Sequence, residues 1–182
     1  MGRPTEIHMP TDFAGAFAAL RDVLKKHAEG LVVLNDTSAD YTVASPAIGP
    51  NGKPMWFGSV QSRKSAVSYH LMPLYFNPKL EATIAPELLP RKQGKTCFNF
   101  QRPDPDLFSD LDELTARARE QWKARGFLSP GTISGEQMEQ AVKEAGTDMD
   151  ALSRRRQEVV ANRGGARKTK ATPAKARRAG AK

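Results

Sequence analysis

The lysines and arginines of the C-terminal segment are the residues of this sequence best suited to a chemical role. Between Arg154 and Lys182 there are eleven Lys or Arg and one acid, so the segment carries 11 − 1 = +10. The preceding residues hold 28 − 11 = 17 bases and 20 − 1 = 19 acids, a charge of −2. Such a cationic segment neutralises phosphates and releases condensed counterions without reading base sequence. We therefore predict nonspecific nucleic-acid contact through Arg154, Arg155, Arg156, Arg163, Arg167, Lys168, Lys170, Lys175, Arg177 and Arg178.

Cys97 and His70 form a second candidate group, because strand alternation can place them on one sheet face. A thiol beside an imidazole is the pair that a cysteine nucleophile requires. Catalysis also needs an orienting carboxylate and an oxyanion site, and the residue spacing indicates neither. We favour packed neighbours over a catalytic pair, so we predict no catalytic residue and a protein that is not an enzyme.

A ligand pocket is a third possibility, since aromatic and cationic residues are interleaved in the middle of the chain. An aromatic or anionic ligand would suit such a lining. The alternative is that these residues form the core and rim of a small sheet. The candidate lining residues are Tyr41, Trp56, Lys64, Tyr69, His70 and Lys95.

Five carboxylates within ten residues could bind a hard cation such as iron or calcium. They are Asp104, Asp106, Asp110, Asp112 and Glu113. The start of a helix also favours acidic residues, because its free amide groups and dipole are positive. We prefer this helix-capping explanation, and we predict no cofactor, with iron as the alternative.

The elements that must position these residues follow from apolar spacing. Thr11 is a candidate cap for a helix with Phe13, Phe17, Leu20 and Leu24 on one face, and Gly30 follows its end. A second stripe, Leu80, Ile84 and Leu88, follows Asn77-Pro78 and predicts a short helix that Pro86 interrupts. A third helix is predicted from Asp104 or Asp106 to about Gly126, with Leu107, Leu111, Leu114, Ala118 and Trp122 on one face.

Strands are predicted between these helices. The Asn51-Gly52 pair favours a tight turn between a strand beginning at Tyr41 and one over residues 55–60. Further strands are predicted over residues 67–75 and 96–100, with Pro73 either ending the first of them early or placing it at an edge. Residues 31–34 are interpreted as a connection. The pattern predicts the α+β class, a small antiparallel sheet covered by helices.

Composition then divides the chain. Hydrophobic residues make up 39% of it, which is modest and indicates that part of the chain lies outside the core. We predict a flexible N-terminus (1–10), an α+β domain (11–127), a linker (128–135), a helical appendage (136–162) and a disordered basic tail (163–182). The appendage is expected to hold two helices, over about 136–145 and 148–162.

The order of several short motifs resembles the YdhG-like family of small bacterial domains, most of unknown function. The motifs are Gly52-Lys53-Pro54, Trp56-Phe57-Gly58, Lys64, Tyr69-His70-Leu71, the region of Pro73, Gly94-Lys95-Thr96, Phe98 and Phe100. The resemblance covers about residues 11–127 and implies a helix, an antiparallel sheet and covering helices. Some family members are proposed to be frataxin-like iron chaperones, so an iron or small-ligand carrier is the alternative function. The tail resembles the Lys/Ala/Pro-rich tails of histone-H1-like proteins.

The remaining composition limits the cellular setting. No apolar run approaches the roughly 18 residues that cross a bilayer, and the N-terminus lacks the pattern of a secretory leader. The single cysteine is compatible with a reducing compartment. We therefore expect a cytoplasmic protein without membrane association, whose partner is nucleic acid.

Overall fold

A computed structural model of the chain describes residues 10–148 and Arg154. One compact unit extends to Thr147, and a second begins at Asp148. In the second unit, Asp148 and Arg154 approach each other to 4.0 Å as an ion pair. Residues 1–9 of the predicted flexible N-terminus, most of the second appendage helix and the basic tail lie outside the described residues, as do the predicted nucleic-acid-binding residues other than Arg154.

The first unit combines helices and strands in the α+β arrangement predicted from the sequence. The helices are α1 (Phe13–Lys26), α2 (Pro78–Glu81), α3 (Pro105–Ala124) and α4 (Gly135–Glu144), with 3-10 helices at Met72–Phe76 and Pro86–Arg91. The strands are β1 (Val32–Asp36), β2 (Asp40–Ile48), β3 (Pro54–Ser62), β4 (Val67–Leu71), β5 (Lys92–Gln93), β6 (Cys97–Phe100) and β7 (Gly131–Thr132). No helix of the described chain is long and apolar enough to span a membrane.

The strands form one sheet in the order β1-β2-β3-β4-β6-β5, with antiparallel neighbours. The short β7 pairs in parallel with the end of β2, where Ala47 lies opposite Gly131. The predicted Asn51-Gly52 turn joins β2 to β3, and Gly52 has the positive φ of 72° that such turns require. The strand order is a meander as far as β4, so the sequence-adjacent strands are also neighbours in space.

One face of the sheet, which we call the inner face, is covered by the helices. Leu20 and Leu24 of α1 and Leu111 and Leu114 of α3 are fully buried in one apolar cluster with the inner-face side chains. The inner-face members of that cluster are Tyr41, Val43, Phe57, Val60, Val67, Tyr69, Leu71, Phe98 and Phe100. The predicted apolar stripes are confirmed, because these helix positions are the ones that recur every three or four residues.

Two local predictions differ from the structure, and a third is confirmed in one of its alternatives. Helix α1 is capped by Asp12, whose Oδ1 accepts a hydrogen bond of 2.8 Å from the Gly15 amide, rather than by Thr11. The predicted connection over residues 31–34 largely belongs to strand β1, whose hairpin to β2 is closed by Thr37: its Oγ1 accepts from the Asp40 amide at 2.9 Å. Strand β4 ends early, at Leu71, which is one of the two alternatives predicted from Pro73, and a 3-10 helix over Met72–Phe76 follows it.

The predicted linker and the first appendage helix are part of the first compact unit. Residues 131–132 pair with β2, and Ile133 is buried in the core cluster. Ser134 and Gln137 form a reciprocal capping box that begins α4, whose Ala141 joins the same cluster. The structure therefore places the end of the globular unit near Thr147 rather than at residue 127, because the apolar face of α4 is buried against that unit.

Candidate functional site

The outer face of the sheet, opposite the helices, is lined with polar side chains. Strand register aligns them in two rows that cross the sheet. The first row is Asn35, Thr42, Ser59, His70, Cys97 and Gln93. The second is Asp40, Gln61, Ser68 and Asn99. Since side chains alternate along a strand, these residues face away from the apolar cluster that contains their neighbours.

Trp56 is the large aromatic residue of the outer face. A shift in the register of β2 and β3 leaves Phe57 without a partner, while Trp56 lies opposite Ala44 and Gly58 opposite Val43. A bulge of this kind redirects the side chains next to it. Phe57 is fully buried and meets the ring of Trp122 edge-on at 5.3 Å, whereas Trp56 is 53% exposed. Phe57 and Trp56, although adjacent in the chain, therefore lie on opposite faces of the sheet.

Side-chain hydrogen bonds connect several polar residues of the outer face into two separate networks. On β4–β6, Ser68 donates to Asn99 Oδ1 at 2.7 Å, and the Asn99 amide donates to Gln93 Oε1 at 2.6 Å. On β2–β3, the Gln61 amide donates to Asp40 at 3.1 Å, and the guanidinium of Arg63 donates to Gln61. These bonds hold the amide side chains in fixed orientations.

His70 and Cys97 are direct cross-strand partners at the centre of this face, as the same-face prediction required. Burial lowers the pKa of His70, and the positive charge of Arg63 lowers it further. Burial raises the pKa of the Cys97 thiol, with Ser68 and Arg63 opposing the rise. Both shifts favour the neutral forms, which is the opposite of the thiolate–imidazolium pair of activated cysteines.

The imidazole of His70 is available to an external group. Cys97 has a contact of 3.5 Å to Asn99 Oδ1, whereas within the described part of the chain no hydrogen bond contributes to the pKa shift of His70, whose causes are burial and Arg63. His70 is partly exposed, so its ring nitrogens can reach solvent or a ligand. A neutral imidazole offers one donor and one acceptor.

The central part of the chain, which includes the outer face, carries positive charge. Residues 32–103, which hold the strands of the outer face, contain eight Lys or Arg and four acids, or 8 − 4 = +4. Arg63 and Lys64 lie in the turn between β3 and β4, while Lys53 and Lys95 lie in turns at the other end of these strands. Positive side chains therefore lie on both sides of the polar rows, at the two ends of the strands.

The predicted ligand pocket does not form as one cleft. Tyr41 and Tyr69 belong to the inner face, with exposures of 2% and 0%. The hydroxyl of Tyr69 is hydrogen-bonded at 2.7 Å to Thr115 of α3, and burial raises its pKa far above the usual value. Only Trp56 and His70 of the predicted set lie on the outer face. Lys64 is in a turn, and Lys95 lies 5.9 Å from the ring of Tyr75.

The acidic cluster of α3 is divided between the start of the helix, where Asp104 and Asp106 lie, and ion pairs formed further along it. Asp104 caps the helix through the Leu107 amide, as the preferred explanation predicted. Asp112 accepts hydrogen bonds from Lys26 and from His27, the latter at 2.6 Å, and Glu113 pairs with Arg117. Within residues 10–148, no three His, Cys, Asp or Glu side chains are grouped in a way that could hold a metal ion.

Sequence reasoning missed the polar residues around Trp56 and His70. Gln61, Ser68, Asn99 and Gln93 alternate with buried residues along β3, β4 and β6, and that alternation was the signal that could have identified them. Comparison of the chain with protein-family models, with curated proteins and with solved structures finds no match to any of them.

Proposed function

We propose that this protein is a non-enzymatic nucleic-acid-binding protein, in which a cationic C-terminal segment provides contact that does not depend on base sequence. The observation that carries the proposal is the separation of charge along the chain. Residues 154–182 carry +10, while the rest of the chain carries −2. Attraction between such a segment and phosphates supplies most of the free energy of nonspecific binding.

The non-enzymatic part of the proposal is supported by the state of the His70–Cys97 pair. This is the pair that the sequence offered as a nucleophile and a base. The pKa shifts favour a protonated thiol and a neutral imidazole. A thiol in that state is a poor nucleophile.

We also propose that the globular unit is of the YdhG-like type. Its helix, antiparallel meander and covering helices have the arrangement that the family resemblance implies. The proposal rests on the order of short motifs, such as Trp56-Phe57-Gly58 and Gly94-Lys95-Thr96.

A salt titration tests the role of the segment. The full chain and a chain ending at Asn162 are titrated against a generic DNA duplex and a generic RNA. The truncation removes eight Lys or Arg, and it leaves the compact unit that ends at Thr147 intact. The slope of log K against log salt should weaken by about 0.9 for every duplex phosphate contact that is lost.

A permuted segment is the matched control. Shuffling the order of residues 164–182 in the full chain keeps its length, composition and charge, so binding should stay within about twofold of the native chain if only charge matters. The proposal is wrong if the truncated chain binds duplex as tightly as the full chain, with the same salt slope. Iron binding by the full chain, with no retention on nucleic acid at low salt, would favour the carrier function instead.

A further inference from the structure

We propose that the outer face of the sheet binds single-stranded nucleic acid, with Trp56 as the surface on which a base stacks. The inference deepens the proposed function, because it assigns the globular unit a second contact with the same class of partner. It rests on three features of that face: an exposed aromatic ring, positive charge at both ends, and polar groups held in fixed orientations.

The exposure of Trp56 is the first step. About half of the Trp56 side chain is in water. Removing apolar surface from water is favourable by about 25 cal/mol per Å², so the isolated protein forgoes that stabilisation for the exposed part of the indole. It lies on a strand within the sheet, between β2 and β4, and not on a mobile loop. A base stacked on an aromatic side chain contributes about 1–3 kcal/mol, and every base has a face that can stack.

The positive charge around this face favours a partner that carries phosphates. Residues 32–103 carry +4, and Arg63, Lys64, Lys53 and Lys95 lie at the ends of the strands that form the face. A strand of nucleic acid crossing the sheet between these ends would place phosphates near them and bases over the accessible members of the polar rows, which exclude Thr42 and Ser59 at 2% and 1% exposure. A basic groove combined with a stacking residue is the usual design of single-strand sites.

His70 and the amide network supply hydrogen bonds to bases. His70 lies on the strand next to that of Trp56 and one outer position further along, a separation of about 8–10 Å from the spacing of a sheet. One bound strand can therefore contact both side chains. Only an unpaired base exposes its face and its pairing edge, so a duplex does not satisfy this site.

The central test compares two exposed apolar residues in the full chain. Trp56 and Leu89 are each 53% exposed, but Leu89 lies in the 3-10 helix at Pro86–Arg91, outside the sheet. Binding is measured with an oligouridylate of about 12 nucleotides and with a DNA duplex. Trp56→Ala should weaken oligouridylate binding by about 10-fold, and Leu89→Ala should not change it. Trp56→Phe, which keeps a ring, should retain most of the affinity.

Fluorescence gives an independent readout. The protein has two tryptophans, and Trp122 is buried while Trp56 is exposed. Oligouridylate should quench the fluorescence of the native chain along the same saturation curve as binding. The Trp56→Ala chain should show no such quenching. Equal affinity of the native and Trp56→Ala chains for oligouridylate would overturn the inference, and so would an equal loss in Leu89→Ala.

The duplex measurements separate this inference from the function proposed for the tail. If the tail alone binds, truncation at Asn162 abolishes retention of both probes and Trp56→Ala changes neither, which overturns the inference. If the face binds but the tail does not, the truncated chain keeps its oligouridylate affinity and loses it with Trp56→Ala, which supports the inference and contradicts the tail proposal. If both bind, truncation affects both probes and Trp56→Ala affects only the single strand.

Discussion

The two faces of the central sheet are built from the same strands but meet different requirements. Phe57 and Trp56 are adjacent in β3, yet one is fully buried against Trp122 and the other is 53% exposed. Along β4, Val67, Tyr69 and Leu71 join the apolar cluster, while Ser68 and His70 between them do not. The inner face follows the demands of packing. Packing does not require the exposed indole of Trp56, which is why the outer face is the one proposed for binding.

The largest effect expected from this comparison is on stability. Phe57→Ala should lower the free energy of unfolding by about 3–5 kcal/mol, because it leaves a cavity beside Trp122 in the core. Trp56→Ala, one residue earlier, should change it by less than about 1 kcal/mol, because much of that ring is already in water. Chemical denaturation of both variants measures the difference. Similar losses in the two variants would mean that the faces are not distinct.

A smaller loss is expected where the inner face admits no side chain. A Cβ on Gly58 would lie 2.9 Å from the carbonyl oxygen of His70 and 3.1 Å from Leu24 Cδ1. Gly58→Ala should therefore cost about 1–3 kcal/mol, since the β4 backbone must move. Gly135→Ala is the control, because a Cβ there meets nothing within 4 Å. Thermal unfolding of the two variants checks this. A midpoint temperature of Gly58→Ala equal to that of the native chain would contradict the close approach of β4 and α1 to Gly58.

The ion cluster that joins α1 to α3 over the inner face should give the smallest effect and a pH dependence. Burial raises the pKa of Asp112, but hydrogen bonds from Lys26 and His27 outweigh it and hold the pKa below its usual value. The stabilisation is therefore complete above the unfolded pKa of about 3.9 and disappears as pH falls through the lower folded value. Asp112→Asn should cost about 1 kcal/mol at neutral pH.

The measurement for this cluster is urea denaturation of the native and Asp112→Asn chains between neutral pH and about pH 3. The two stabilities should converge at the acidic end. Glu139→Gln is the control, because Glu139 is exposed in the interior of α4 and within the described residues no ion pair of its carboxylate is seen. A difference between native and Asp112→Asn that stays constant down to the acidic end would show that the carboxylate charge is not what stabilises the contact.

Much of the inner face could be predicted from the sequence, since apolar spacing alone identifies it. The stripe of Leu20 and Leu24 in α1 and the alternation of Phe98 and Phe100 in β6 are buried as expected. The exposed strand β1 was missed because its edge position leaves no alternation: all five residues are exposed. It is held by pairing with β2 and by Arg21, which donates to both oxygens of Asp36 at 2.6 and 2.8 Å. Such long-range contacts have no local signature.

The candidate site was less predictable, because residue type does not reveal the face on which a side chain lies. Tyr41, Tyr69 and Trp56 looked alike as pocket aromatics, but the first two complete the core and only the third reaches the outer face. The register shift at Phe57 decides this, and a bulge depends on the pairing of β2 with β3. The amide network around Asn99 likewise requires strands that are about 30 residues apart in the chain to be adjacent.

Photo-crosslinking of the full chain to an oligouridylate that carries 5-bromouridine, followed by identification of the linked peptides, tests the central claim most directly. Two sets of linked peptides are expected, one containing Trp56 and one from residues 154–182, and the first set should disappear in Trp56→Ala while the second remains. Crosslinks confined to residues 154–182 in the native chain would contradict the assignment of the outer face as a binding surface.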